Sequence, residues 1–457
     1  MPVSPRRKMY GRILAGGTFV VLAIVGWFAF QKFFPNFFDR ERVNAEELNR
    51  LKSVDLTRKG ETPAEWPQFR GANRDGFAPA GPMNFDWEKS PPKVKWSVPC
   101  GGGYSSFAIV DGVAYTMDRQ AGNERVLALD AETGATKWTH EYPSDYSSMK
   151  MGFGDGPRAT PTVHEGRIYT VGATGHMLCL QLPAKGGEQP YVLWEKELVT
   201  DFGASLAEWG MACSPLIEGD LVIVQPGGKK GSVAAFDRVS GSLKWAAGKD
   251  PNGYSSPVAA TFNGIRQIVA ATGNSILGIR AADGEILWRH SFETSFNANI
   301  AMPVIANDYV FYSAGYNKGC VCLRVTGTEA EVVYFKPKKL MRTHHSTCVH
   351  KDGFLYGFDD NDLRCVDLRE GTAVEDWPDL DTGKDITKGS LILVGDHLIG
   401  MTQNGTLFCA KADPAEWKLT GILKGVLKGS QCWALPVAVN GRIYLRDGEK
   451  VVCLEAK

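Results

Sequence analysis

The sequence predicts an all-β chain, an eight-bladed β-propeller of four-stranded blades preceded by a single N-terminal transmembrane helix. Three observations carry that prediction: a turn pair that recurs eight times, a turn-and-tryptophan landmark that follows it, and one long run without charge near the start.

The chain opens with a basic tail, residues 1–12, holding Arg6, Arg7, Lys8 and Arg12. Residues 13–30 then form an 18-residue run without a charge, which as a helix spans about 27 Å and suffices for a tilted membrane anchor. A cleaved leader competes with this reading. The run ends in Gly26-Trp27-Phe28-Ala29-Phe30, without the small-x-small exit that processing needs, and no Cys stands there to take a lipid. The basic end stays in the cytoplasm and the rest of the chain is expected on the outer side. Residues 31–65 read as a charged juxtamembrane linker, with a short helix around 45–51.

Residues 66–457 are the repeat. Asp111-Gly112, Glu165-Gly166, Glu218-Gly219, Asn263-Gly264, Asn307-Asp308, Asp352-Gly353, Gly395-Asp396 and Asn440-Gly441 follow one another at steps of 54, 53, 45, 44, 45, 43 and 45 residues. A period near 45 makes each repeat one supersecondary unit. The second landmark is a short strand, an Asp turn ending in Gly, and a Trp: Asp130 to Gly134 with Trp138, Asp237 to Gly241 with Trp245, and Ile279 to Gly284 with Trp288. Units closing at Trp377 and Trp417 are looser, and those ending at Trp194 and Tyr334-Phe335 are degenerate. Segments such as 166–171 and 441–445 are β-branched and aromatic between turn residues, so they read as strands. Four strands per unit without a helical period leave a sandwich, a barrel or a propeller, and the regular period selects the propeller.

The two ends complete each other. The last half-repeat, 434–454, has no Trp strand of its own, while Val94-Lys95-Trp96-Ser97-Val98 precedes the first half-repeat and has no partner. Residues 94–98 are therefore expected to close the ring against 451–454, which removes an open sheet edge.

Lys+Arg and Asp+Glu are equal at 51 each, so there is no basic excess for a nucleic-acid partner. Among ten cysteines, Cys179, Cys322, Cys365, Cys409 and Cys453 occupy the small-residue position held by Ala128 and Ala235 in other blades, and read as buried packing. Cys320 and Cys322 face one side of a strand, and no Cys-x-x-Cys pair points to zinc. A bridge among Cys100, Cys213, Cys348 and Cys432 stays open.

The unit Ala-x-Asp-x-x-Thr-Gly-x-x-x-Trp, seen at 128–138, resembles the pyrroloquinoline quinone (PQQ) type propeller repeat shared by quinoprotein alcohol dehydrogenases and BamB, the outer-membrane assembly scaffold. Residues 66–76, 154–161 and 209–215 are similar to a group of bacterial PQQ-like propellers abundant in planctomycetes. The resemblance covers about Trp66 to the C-terminus; a bacterial chain with the charge-free run and the basic residues before it is expected to be anchored in the inner membrane with the propeller in the periplasm. The resemblance also implies a docking role for the outer tryptophans. Quinoprotein dehydrogenases carry an adjacent Cys-Cys pair and a calcium site beside a catalytic Asp; this sequence has no Cys-Cys dipeptide.

Loops entering the innermost strands converge at one channel mouth, where a ligand pocket is expected. They offer Asp155, Arg158, Trp209, Tyr254, Asn299, His344, Lys388 and Trp433 as candidate ligand-binding residues, with no metal site and no assigned catalytic residue. Each competes with a structural role, since loop Asp, Asn and Ser commonly satisfy turns. Of His344 and His345, taken as strand neighbours, at most one is expected to enter the channel. Two functions follow. The favoured one is a membrane-anchored, extracytoplasmic binding or assembly module for a protein or small ligand. The alternative is a PQQ-dependent dehydrogenase of an alcohol or sugar, with calcium, the quinone over Trp209 or Trp433, Arg158 or Lys388 near its carboxylates, and Asp155 as base.

Overall fold

Two-residue hairpins set the local pattern. Val110 pairs with Val113 across Asp111 and Gly112, whose φ values are 51° and 70°. Both central residues lie in the left-handed region, the geometry that matches the right-handed twist of the flanking strands. Asn263-Gly264, Asp352-Gly353 and Asn440-Gly441 repeat it. The longer third turn is held by its Asp: Asp237 Oδ1 accepts from the amides of Val239 and Ser240 and from the Ser240 hydroxyl, and these bonds pull its pKa down to about 2.

A computed structural model describes residues 65–457 except 150, 151, 153, 154, 184–187, 376, 379–384 and 430. These residues form eight sheets, each an antiparallel ladder of four consecutive strand positions. The first blade comprises Ala108–Val110, Val113–Gln120, Asn123–Asp130 and Thr136–Pro143. The inner strands of the others are Thr162–His164, Leu216–Glu218, Val258–Phe262, Val304–Ala306, Val349–Lys351, Gly389–Val394 and Val437–Val439. Lys93–Pro99 is the outer strand of the eighth blade and pairs antiparallel with Lys450–Glu455, Val94 opposite Leu454 and Val98 opposite Val451. The ring closes where the complementary half-repeats require.

The core lies between neighbouring sheets. Ile223, Val233 and Ala235 of the third blade pack with Ile268, Ala270 and Leu277 of the fourth, all buried. Outer-strand aromatics lock the same joints. Trp245 donates Nε1–H to Ala281 O at 3.0 Å, and its ring covers Gly284, where a Cβ would come within 2.8 Å of it. Trp96 treats Ala131 and Gly134 of the first blade alike, and Tyr334, in a degenerate unit, bonds Leu368 O and covers Gly371.

Three details depart from the repeat. The outer strand of the sixth blade is only Thr372–Ala373, and Trp377 lies beyond it. Trp377 still docks, donating to Asp413 O at 2.9 Å. Trp417 precedes its outer strand, Leu419–Leu423, and meets Trp377 edge-on. The seventh sheet gains a fifth strand, Phe77–Ala78, parallel to its inner strand.

That extra strand belongs to a plug. Glu65 accepts from the Asp111 amide, Trp66 forms a two-bond bridge with Ile109, and Val163 donates to Pro67 O. Arg70 then bonds Thr347 O and Cys348 O, Arg74 bonds Ser214 O and Pro215 O, and Leu393 and Gly395 donate to Gly76 O and Ala78 O. Residues 65–78 thus enter from the face of the first turns, fill the channel while touching the inner strands of five blades or the residues just ahead of them, and leave by the same face. The expected span at 13–30 lies outside the described residues, among which no helix is long and apolar enough to cross a membrane. All ten cysteines are free.

A blind pocket at the channel mouth as candidate functional site

Because residues 65–78 block one end, the channel survives as a pocket of about 360 Å³ at the mouth formed by the loops entering the inner strands. Phe69 and Arg70 of the plug contribute to its lining. Arg70 is almost fully buried; burial lowers its pKa to about 10, and its bonds to Asp75 O, Thr347 O and Cys348 O hold it in place.

The wall is a chain of rings. Tyr254 and Trp209 lie 5.3 Å apart, Trp209 and Tyr316 6.5 Å, Tyr316 and His344 4.8 Å, and His344 and His345 4.1 Å. His345 stacks on Trp433 at 4.0 Å, and Trp433 meets Tyr104 at 5.0 Å. The Arg158 guanidinium lies over Tyr104, 5.3 Å from the ring centre, and donates to Gly156 O. Lys388 supplies another cation, 3.5 Å from Asp360. None of the described lining residues is Asp or Glu. Burial lowers Arg158, and burial with the Lys388 charge brings His344 down to about 4 and His345 well below its usual value. Both imidazoles are neutral at pH 7.

The structure gathers Arg158, Trp209, Tyr254, His344, Lys388 and Trp433 around this pocket, and leaves two candidates outside. Asp155 is exposed and pairs with Arg119 at 3.1 Å. Asn299 is fully buried and donates to Thr272 O and Phe292 O, so it ties a loop. His344 and His345 both line the pocket, contrary to the strand argument, because they sit in a bend ahead of Val349–Lys351. Tyr104, Tyr316, Phe69 and Arg70 were not anticipated. Tyr104 follows Gly101-Gly102-Gly103 in the position before an inner strand that Arg158 holds one blade later, which was a readable signal.

A profile of the family described as outer membrane protein assembly factor BamB matches residues 122–377. The chain belongs to that family. No curated protein matches it in sequence. Among solved structures, this BamB-family propeller is similar to quinohemoprotein alcohol dehydrogenase ADHIIG of Pseudomonas putida HK5, with a TM-score of 0.57 at 13% identity over 88% of this chain and 83% of the other. Sqt1 of Chaetomium thermophilum, solved bound to the N-terminus of ribosomal protein L10, gives 0.54 at 11% identity over 78% and 97%. A europium-containing methanol dehydrogenase gives 0.50 at 11% identity over 90% and 100%. At such identities the likeness is one of fold, and a dehydrogenase and a protein binder share it, so function rests on the pocket.

Calcium does not fit that pocket. A calcium ion takes six to eight oxygen ligands with carboxylates among them, whereas among the described residues the lining offers no carboxylate and no group of three His, Cys, Asp or Glu could hold a metal.

Proposed function

We propose that this chain is a binding module, tethered to a membrane by residues 13–30 with the propeller on the outer side, whose channel pocket captures a planar anion. The observation that carries the reading is the lining: Arg70, Arg158 and Lys388 together with six aromatic side chains and two neutral imidazoles, and no carboxylate among the described lining residues. A carboxylate 4 Å from one such cation gains about 4 kcal/mol at an effective dielectric of 20, against about 1 in water. Stacking on the ring belt adds about 0.5–1.5 kcal/mol per pair. The tether rests on the charge-free run and on the basic residues before it.

Calorimetry tests the pocket. Naphthalene-2,6-dicarboxylate is expected to bind and its dimethyl ester to bind at least about tenfold more weakly, with Lys388→Ala costing a similar factor. Equal affinity for ester and acid overturns the anion reading. Carbonate washing of membranes checks the tether, since a peripheral chain would be released. The dehydrogenase alternative needs calcium donors and a carboxylate base beside the quinone, and Asp155 lies outside the pocket. Calcium-dependent binding of PQQ would restore that alternative.

A further inference from the structure

Glu124, in the third strand of the first blade, is a fully buried carboxylate whose described hydrogen-bond partners include no cation, although Arg158 lies near enough to feel its charge. It accepts from Tyr142 Oη at 2.5 Å, from Tyr146 Oη, and from the Ala173 amide of the second blade at 2.8 Å. A Cβ on Gly172 would collide with the Glu124 carboxylate, so the second blade makes room for this group. Burying a charge is costly, and an apolar side chain would serve packing alone at least as well. The carboxylate therefore calls for a reason beyond stability. Tyr142 lies near the end of the outer strand of the first blade, and Tyr146 lies in the long connection that follows it, whose far end carries Arg158.

Arg119 acts on the same connection. Its guanidinium bonds Ser144 O at 3.1 Å and Asp155 Oδ2 at 3.1 Å, and lies 4.2 Å from the centre of the Tyr146 ring. It thus clamps both limbs of the loop, and Pro157 O, one residue before Arg158, accepts from the Tyr104 and Ser105 amides.

We propose that Glu124 and Arg119 are positioning residues that aim Arg158 into the pocket by fixing the loop that carries it. The inference rests on the pocket being the binding site. A double-mutant cycle with naphthalene-2,6-dicarboxylate, read by calorimetry on the full chain, tests it. Glu124→Gln and Arg119→Ala should each lower affinity about five- to tenfold, and should cost little further in an Arg158→Ala background. Substituting a buried carboxylate can unfold a chain, so Tyr146→Phe, which removes one hydroxyl, is measured alongside. Losses that simply multiply with that of Arg158→Ala, or no loss at all, overturn the positioning role while leaving the pocket reading intact. Absence of binding to the unaltered chain overturns both.

Discussion

His344 and His345 stand side by side in the ring belt, and their environment sets a pH dependence for the whole chain. An unfolded imidazole titrates near 6.5, while burial and the neighbouring Lys388 charge bring folded His344 down to about 4. The folded state holds fewer protons than the unfolded state between those values, so stability is fully present above about pH 6.5 and is lost as pH falls toward 4. For His344 the loss is roughly 1–2 kcal/mol after solvent screening. Urea unfolding at pH 7 and pH 4.5 is expected to show this loss in the unaltered chain and a smaller one in His344→Phe. Equal losses would mean that the imidazole is solvated. At this scale the sequence was readable where a side chain precedes an inner strand, as with Arg158, Trp209 and Tyr254. It was silent on whether such a residue turns inward or ties its own loop. Asn299 and Lys388 are both polar loop residues, and only the carbonyls of Thr272 and Phe292, contributed by other segments, decide that Asn299 is structural.

The plug and the blade repeat show why one element was legible and another was not. Each blade carries its instructions locally, five of them in a left-handed turn pair and three in an Asp that binds its own turn amides, so the recurrence amplifies a weak signal into a count. Tyr334 could be placed by register although it is not a Trp, because the position recurs. Residues 65–78 have no period, and their bonds are spread over five blades, so nothing within the segment announces the channel. Its signals were two arginines, Arg70 and Arg74, with φ values of 63° and 56° that few side chains adopt, and these are visible only in the backbone. The plug also covers the channel thiols, since Cys348 lies beside Arg70 and Cys213 beside Arg74, both buried. A chain beginning at residue 80 should remain a folded ring, bind naphthalene-2,6-dicarboxylate at least about tenfold more weakly for lack of the Arg70 floor, and expose Cys348 and Cys213 to a thiol reagent. A chain beginning at residue 65 should keep both thiols protected. Equal labelling of the two chains would show that the plug is not the channel's seal.

At the scale of the molecule, the ring depends on one long-range pairing, and removing it should be far more damaging than removing the plug. A chain beginning at residue 100 lacks Lys93–Pro99, leaves the Lys450–Glu455 strand as an open edge, and should aggregate on size-exclusion chromatography where the chain from residue 80 elutes as a monomer. Monomeric behaviour of the chain from residue 100 would show that the other blades hold the ring shut unaided. The same pairing fixes an order of events during synthesis. Val94 meets Leu454, 360 positions later, so the strand made first waits for the strand made last. Seven sheets can form as the chain emerges, whereas the eighth cannot exist until the ribosome has all but finished. Bringing such distant ends together costs entropy that grows only with the logarithm of the separation, so the wait is a matter of timing more than of energy. During that interval the outer strand of the last blade is a free ribbon next to the plug. The seam is thus the place where a neighbouring copy could lend its own strand, and crowded synthesis would turn a closed ring into an exchanged pair.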